Sequence, residues 1–122
     1  MLSIAHIVFD CADAAALAGF WSAALRRPVD DGANEFFATI GHRDRGTTPA
    51  LMFLKVPEAK QVKNRLHVDL AGPDWRNEVD RLLALGAGKV AERREYGIEW
   101  ITMTDPEGNE FDVAAAGPTS PA

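Results

Sequence analysis

Two histidines, His6 and His67, stand 61 positions apart, and each has carboxylates close by in sequence at even spacing. His6 is followed by Asp10 and His67 by Asp69, and toward the end of the chain Glu110 and Asp112 repeat the spacing of two. Imidazole and carboxylate are the side chains that bind divalent first-row metals, and they also serve as general acids and bases. For the six groups to act together they must leave their strands on the same side. Alternation along an extended chain provides this. His6, Val8 and Asp10 share one face, with Ile7 and Phe9 on the other; His67 and Asp69 oppose Val68 and Leu70; Glu110 and Asp112 oppose Phe111 and Val113. The apolar set suits a covering helix, and the polar set converges on a cleft. A strand histidine is equally at home as a hydrogen-bonded polar residue, and Asp10 and Asp69 can equally bind loop amides or neighbouring Arg and Lys.

The other candidates carry less chemistry. Cys11 falls on the helix-facing side and reads as a buried small residue rather than a nucleophile. His42 lies in a polar loop, Gly41 to Gly46, and is expected to be solvated at the rim of the cleft. Trp100, on a strand, is a candidate for lining the pocket, with a core or interface position as its alternative. Neither a glycine-rich phosphate loop nor a nucleophile elbow occurs.

The elements that must position these groups repeat. At an offset of 61, His6 falls on His67 and Asp13 on Asp74, and each Asp precedes a helical pattern that ends in a turn and a valine. Ser3 to Cys11 reads as a strand. Asp13 is placed as a helix N-cap, and Leu17, Phe20, Trp21, Ala24 and Leu25 recur on one helix face. In the second half Arg65 to Ala71 is the strand, Asp74 starts the helix, Trp75, Val79, Leu82 and Leu83 form its stripe, and Gly86 ends it. Strands are expected around Val29, over Glu35–Ile40 and Ala50–Val56, then over Lys89–Arg93, Glu99–Thr104 and Asn109–Ala115, with turns at Gly32, Gly41, Gly46, Gly97 and Asp105–Gly108. The expected fold class is α+β: a single domain over 1–122 of two tandem βαβββ modules, about 1–57 and 64–115, with a frayed tail over 116–122. The two modules pair as a half-open mixed β-barrel around a cleft, with the helices outside.

Bulk properties narrow the function classes. A net charge of −5 with no dense Lys/Arg cluster argues against nucleic acid and against an anionic membrane surface. One cysteine among 122 residues excludes an internal disulfide, and neither a signal peptide nor a membrane span is expected, so the cytoplasm is the expected compartment.

Three segments in this order, Asp10-Cys11-Ala12-Asp13 with Leu17-Ala18-Gly19-Phe20-Trp21, Val62 to Leu70 around His67, and Asp105-Pro106-Glu107-Gly108-Asn109-Glu110-Phe111, resemble the glyoxalase-like branch of the vicinal-oxygen-chelate superfamily. The resemblance covers nearly the whole chain and implies the paired-module fold. That superfamily holds lyases, isomerases, ring-cleaving dioxygenases, thiol transferases and metal-free drug-binding proteins, so the fold alone does not choose the reaction. Its metal-using members take ligands from four inward strand positions. The resemblance carries these onto His6, seven residues before Asp13, onto His67, and onto Asp112, the eighth residue counted from Asp105. The fourth position, by the offset of 61, is Leu51, which has no donor atom. His6, His67 and Asp112 then make a two-histidine, one-carboxylate set suited to Fe(II), with Mn, Ni, Co or Zn as alternatives. Glu110 or Asp69 would be the general base, and Asp10 and Trp100 would bind substrate.

The implied function is a divalent-metal-dependent lyase or isomerase acting on a small oxygenated metabolite. One rival is a metal-free binding protein of the bleomycin-resistance type, with Asp10, Asp69, Glu110 and Asp112 attracting a cationic compound. The other is an Fe(II) dioxygenase. A homodimer is also implied, since pairing would hide bare sheet edges.

Overall fold

A computed structural model describes residues 1–43 and 49–116. The turn expected at Gly46 and the tail residues 117–122 lie outside the described residues. The chain divides into two compact units, Met1–Lys60 and a second from Gln61 onward.

The first unit contains β1 (His6–Cys11), α1 (Ala14–Leu25), β2 (Phe37–Ile40) and β3 (Ala50–Lys55). Its sheet has the order β1-β3-β2, with β1 parallel and β2 antiparallel to β3. Asp13 caps α1 as the sequence predicts, its carboxylate accepting from the Ala16 amide at 3.1 Å. Leu17, Phe20, Trp21 and Ala24 are buried along the helix. On the sheet, Phe9 stacks on Phe53 at 5.0 Å between ring centroids and approaches Trp21 at 5.4 Å. The apolar side of β1 therefore meets the helix, and Val8 and Asp10 are left exposed. Cys11 is buried, and its thiol donates to the Leu54 carbonyl.

The second unit contains β4 (Asp69–Gly72), α2 (Trp75–Leu85), β5 (Gly88–Glu95), β6 (Ile98–Thr104) and β7 (Glu110–Ala115). Its sheet has the order β4-β7-β6-β5, with β4 parallel to β7 and the other pairs antiparallel. Val79 and Leu82 of α2 are buried, as are Ile101, Met103, Phe111 and Val113 of the sheet. The Asp105–Gly108 turn is drawn tight by the buried Asp105 carboxylate, which accepts from the Glu107 and Asn109 amides. Both sheets are mixed and both units follow the tandem α+β plan, and neither sheet closes into a barrel by itself.

Several sequence expectations shift. The segment around Val29 makes only an isolated bridge to Ile40. Pro28 has no amide hydrogen to give a ladder, and Asp30 spends its side chain on the Thr39 hydroxyl and the His42 amide. The second-half strand begins at Asp69 rather than Arg65, so His67 lies just ahead of it. Leu83 is exposed rather than part of the buried stripe, and half-buried Trp75 stacks under the Arg76 guanidinium at 4.4 Å. The repeat also loses a residue. The first strands end at Cys11 and Gly72 and the helices begin at Ala14 and Trp75, keeping the offset of 61, whereas β3 and β7 begin at Ala50 and Glu110, an offset of 60. The difference falls in the helices, 12 residues against 11.

Asp30 gives the first unit an acid-sensitive point. Burial alone would raise its carboxyl, but the Thr39 hydroxyl, the His42 and Arg43 amides and the Arg43 charge together hold it below its ordinary 3.8. A lowered carboxyl adds stability above that value and loses it as pH falls through the lowered one. Asp30→Asn is therefore expected to destabilise at neutral pH and to approach the parent as pH falls below the ordinary carboxyl range. Urea midpoints across that range test this, and a constant difference between the two proteins would contradict it.

Candidate functional site

In the second unit the strand register sets three side chains side by side. Asp69 of β4 lies opposite Asp112 of β7, and Asp112 lies opposite Thr102 of β6. Laterally paired residues project to the same face of a sheet, so Asp69, Asp112 and Thr102 share a face while Phe111 and Val113 pack into the core. The Thr102 hydroxyl donates to Asp112 Oδ1 at 2.7 Å and fixes that carboxylate. The other oxygen, Oδ2, lies 3.8 Å from His67 Nδ1, and the same ring nitrogen lies 3.0 Å from Asp69 Oδ1. His67 reaches the group although it is outside the strand, so the even spacing to Asp69 holds where the strand assignment does not.

His67, Asp69 and Asp112 each offer one ligand atom within 4.8 Å of the others. Two donors about 2.1 Å from one ion are separated by at most about 4.2 Å; His67 Nδ1 meets that limit with Asp69 and with Asp112, at 3.0 and 3.8 Å, and the whole group lies within 4.8 Å. One imidazole and two carboxylates suit Mn, Fe, Co, Ni or Zn. The residues present fit a divalent cation. Alternatively, Asp69 accepts the Nδ1 proton of His67 and leaves the lone pair on Nε2, the usual arrangement by which a carboxylate orients a metal-binding histidine. Side-chain exposures are 45% for His67, 70% for Asp69 and 22% for Asp112, so the group is open to solvent on the Asp69 side.

Glu110 and Trp100 belong to the same face, since Thr104 pairs with Glu110 and Trp100 with Ala114. Trp100 is half-buried, two residues from Thr102, and can wall the approach to Asp112. Glu110 is not the spare carboxylate that the sequence suggests: Lys63 forms an ion pair with it. To serve as a base it would first have to give up that partner.

His6 and Asp10 stand in the first unit, on the face of β1 away from Phe9. His6 Nε2 lies 3.0 Å from His42 Nδ1, and the His42 amide is held by Asp30. His42 is exposed, as expected of a solvated loop, but its contact with His6 had no signal in the spacing. Asp10 is exposed and lies opposite Leu54. The fourth-ligand position needs correction. Leu51 lies opposite Ile7 and is buried on the helix side, whereas Met52 lies opposite Val8, as Asp112 lies opposite Asp69. The offset of 60 makes Met52 the counterpart of Asp112. Its thioether is a soft donor and does not replace a carboxylate for a hard cation.

Two further residues escaped the sequence reading: Thr102 orients Asp112, and Asn64 holds the segment before His67. Only the alternation in β6 could have flagged Thr102, because it stands two residues from Trp100.

Among the described residues, no helix is long and apolar enough to cross a membrane. Comparison with known proteins adds a family and a set of folds. The family described as glyoxalase-like domain matches residues 6–114. No curated protein matches the sequence. Among solved structures, a glyoxalase/bleomycin resistance protein/dioxygenase family enzyme from Burkholderia phytofirmans PsJN superposes with a TM-score of 0.73 at 17% identity, covering 93% of this chain and 98% of that one. A mutant of the fosfomycin resistance protein FosX from Listeria monocytogenes, complexed with Mn(II) and 1S,2S-dihydroxypropylphosphonic acid, gives 0.74 at 14% identity, covering 97% and 93%. Lactoylglutathione lyase from Agrobacterium tumefaciens gives 0.64 at 14% identity, covering 95% of each chain. At these identities the likeness is one of fold.

Proposed function

Because this chain belongs to the glyoxalase-like domain family, we propose that it is a divalent-metal-dependent enzyme of the lyase or isomerase type acting on a small oxygenated metabolite. The meeting of His67, Asp69 and Asp112 in the second unit carries the reading. His67 and Asp112 are the protein's ligands in that unit. When bound, the ion supplies a Lewis acid for a substrate carbonyl or enolate oxygen. The protein's own groups do the rest. Thr102 holds Asp112 in one rotamer by its hydroxyl hydrogen bond. Asp69 orients the His67 ring by accepting from Nδ1 or, where the ring nitrogen turns to the ion, takes a proton from substrate as general base. Trp100 supplies an apolar wall that excludes water from one side. Glu110, paired with Lys63, adds negative potential rather than an open proton acceptor.

The presence of Mn(II) in the FosX complex supports a metal in this fold. The superfamily resemblance implies a homodimer, and light scattering that returns only monomer at micromolar concentration would count against that part.

The test compares parent and His67→Ala proteins, purified without chelator, for metal content, Mn(II) affinity and thermal stability. His67→Ala is expected to lose stoichiometric metal and keep its melting temperature, because an exposed ring contributes little packing. Equal, near-zero metal in both would overturn the enzyme reading in favour of a metal-free binding protein.

A further inference from the structure

The segment Lys63-Asn64-Arg65-Leu66-His67 is not part of a strand, yet it holds His67 beside Asp112. We propose that Asn64 is the positioning residue that sets His67, an inference that rests on the metal-site reading above. Asn64 is half-buried, and Lys63, Arg65, Leu66 and His67 around it are exposed. Its side chain does what a strand backbone would have done. Oδ1 accepts from the Glu110 amide at 2.8 Å, and Nδ2 donates to the Glu110 carbonyl at 3.2 Å and to the Leu66 carbonyl at 2.7 Å. One primary amide thus satisfies both backbone groups of Glu110 and folds its own segment back by two residues.

The next link between this segment and β7 is a backbone bond, from the Asp112 amide to the Val68 carbonyl at 3.1 Å. His67 therefore lies between two anchors on the same strand, Asn64 on Glu110 and Val68 on Asp112. Glu110 and Asp112 are alternate residues of β7, so the two anchors bridge neighbouring rungs of one ladder. With both in place the His67 Cα has little room to move, and its ring falls over Asp112 and Asp69. Without Asn64 the segment would keep only the Val68 bond and the ion pair of the exposed Lys63 with Glu110, which fixes no backbone group beside His67. Residues that support metal ligands in this way change affinity by about 10–100-fold when they are removed.

The experiment uses the full chain and the variants Asn64→Ala and Asn64→Asp. Mn(II) affinity is measured by titration, amide hydrogen exchange at Glu110 and backbone ¹⁵N relaxation at His67 are measured without metal, and melting temperature is measured for each protein. Asn64→Ala is expected to bind Mn(II) at least about tenfold more weakly, to lose exchange protection at Glu110 and to gain mobility at His67, with only a small change in melting temperature. Asn64→Asp keeps an acceptor for the Glu110 amide but loses both donors. It should retain protection at Glu110 and still loosen His67 and weaken binding. Unchanged His67 mobility in Asn64→Ala overturns the proposal whether or not metal binds. Absence of Mn(II) binding in the parent with the His67 and Glu110 changes intact would instead remove the metal reading and leave Asn64 as the clamp on His67. A lowered melting temperature with unchanged affinity and His67 dynamics would assign Asn64 to the fold alone and also overturn it.

Discussion

Asp112→Ala is expected to lower Mn(II) affinity by at least about a hundredfold, and Asp69→Ala by about tenfold or less. The two carboxylates lie opposite each other in the sheet, so the difference comes from their surroundings. Asp112 is the more buried, with a side chain 22% exposed, and one of its oxygens is fixed by the Thr102 hydroxyl. Its remaining oxygen is already oriented before an ion arrives. Asp69 is 70% exposed, so water competes for its oxygens and its rotamers are less restricted. Thr102→Val removes the hydroxyl at nearly constant volume and should fall between the two. Titration with Mn(II), with circular dichroism to confirm folding, measures all three. Equal losses in Asp112→Ala and Asp69→Ala would contradict the assignment of Asp112 as ligand and Asp69 as the support of His67.

The largest effect on stability is expected from Trp21→Ala. Trp21 is 1% exposed, lies 5.4 Å from Phe9 and stands edge-on to Phe20 at the same distance. Removing a fully buried aromatic ring costs the transfer energy of the ring and leaves a cavity that neighbours fill only in part, about 3–5 kcal/mol. For a chain of this length that corresponds to a fall of roughly 12–20 °C in melting temperature. Val8→Ala, on the open side of β1 where Val8 is exposed, is the control and should stay within about 0.5 kcal/mol of the parent. Urea denaturation of the three proteins decides it, and a cost for Trp21→Ala comparable with that for Val8→Ala would place the core of the first unit elsewhere.

Much of the fold was legible because the signals are periodic. The apolar set Leu17, Phe20, Trp21 and Ala24 returns at helical spacing, and the alternation of Glu110, Phe111, Asp112 and Val113 assigns each residue to a face of β7. Both patterns survive in the structure because burial on one face is what stabilises the element. Positions set by a single side chain were not legible. Nothing in the sequence says that Asn64 takes the part of a strand backbone, so the segment from Arg65 read as extended chain. The contact between His6 and His42 joins a strand to a loop 36 residues away, and no periodicity links them. Leu51 was assigned to the wrong position for a third reason: a constant offset cannot register a residue missing from α2, and in a strand an error of one places a side chain on the opposite face.

That missing residue also bears on how the two halves have diverged. Both helices begin in step with their preceding strands, and both end on a residue with left-handed backbone, Arg26 at φ 53° and Gly86 at φ 115°. The one-residue difference therefore falls between a fixed start and a fixed type of ending, outside the strands, where a change of length leaves their inner and outer sides in place. A deletion inside β7 would have turned Asp112 into the core and Phe111 into water. Insertions and deletions should be tolerated in the helices of this fold and purged from its strands, so drift in chain length leaves the chemistry of each sheet face intact.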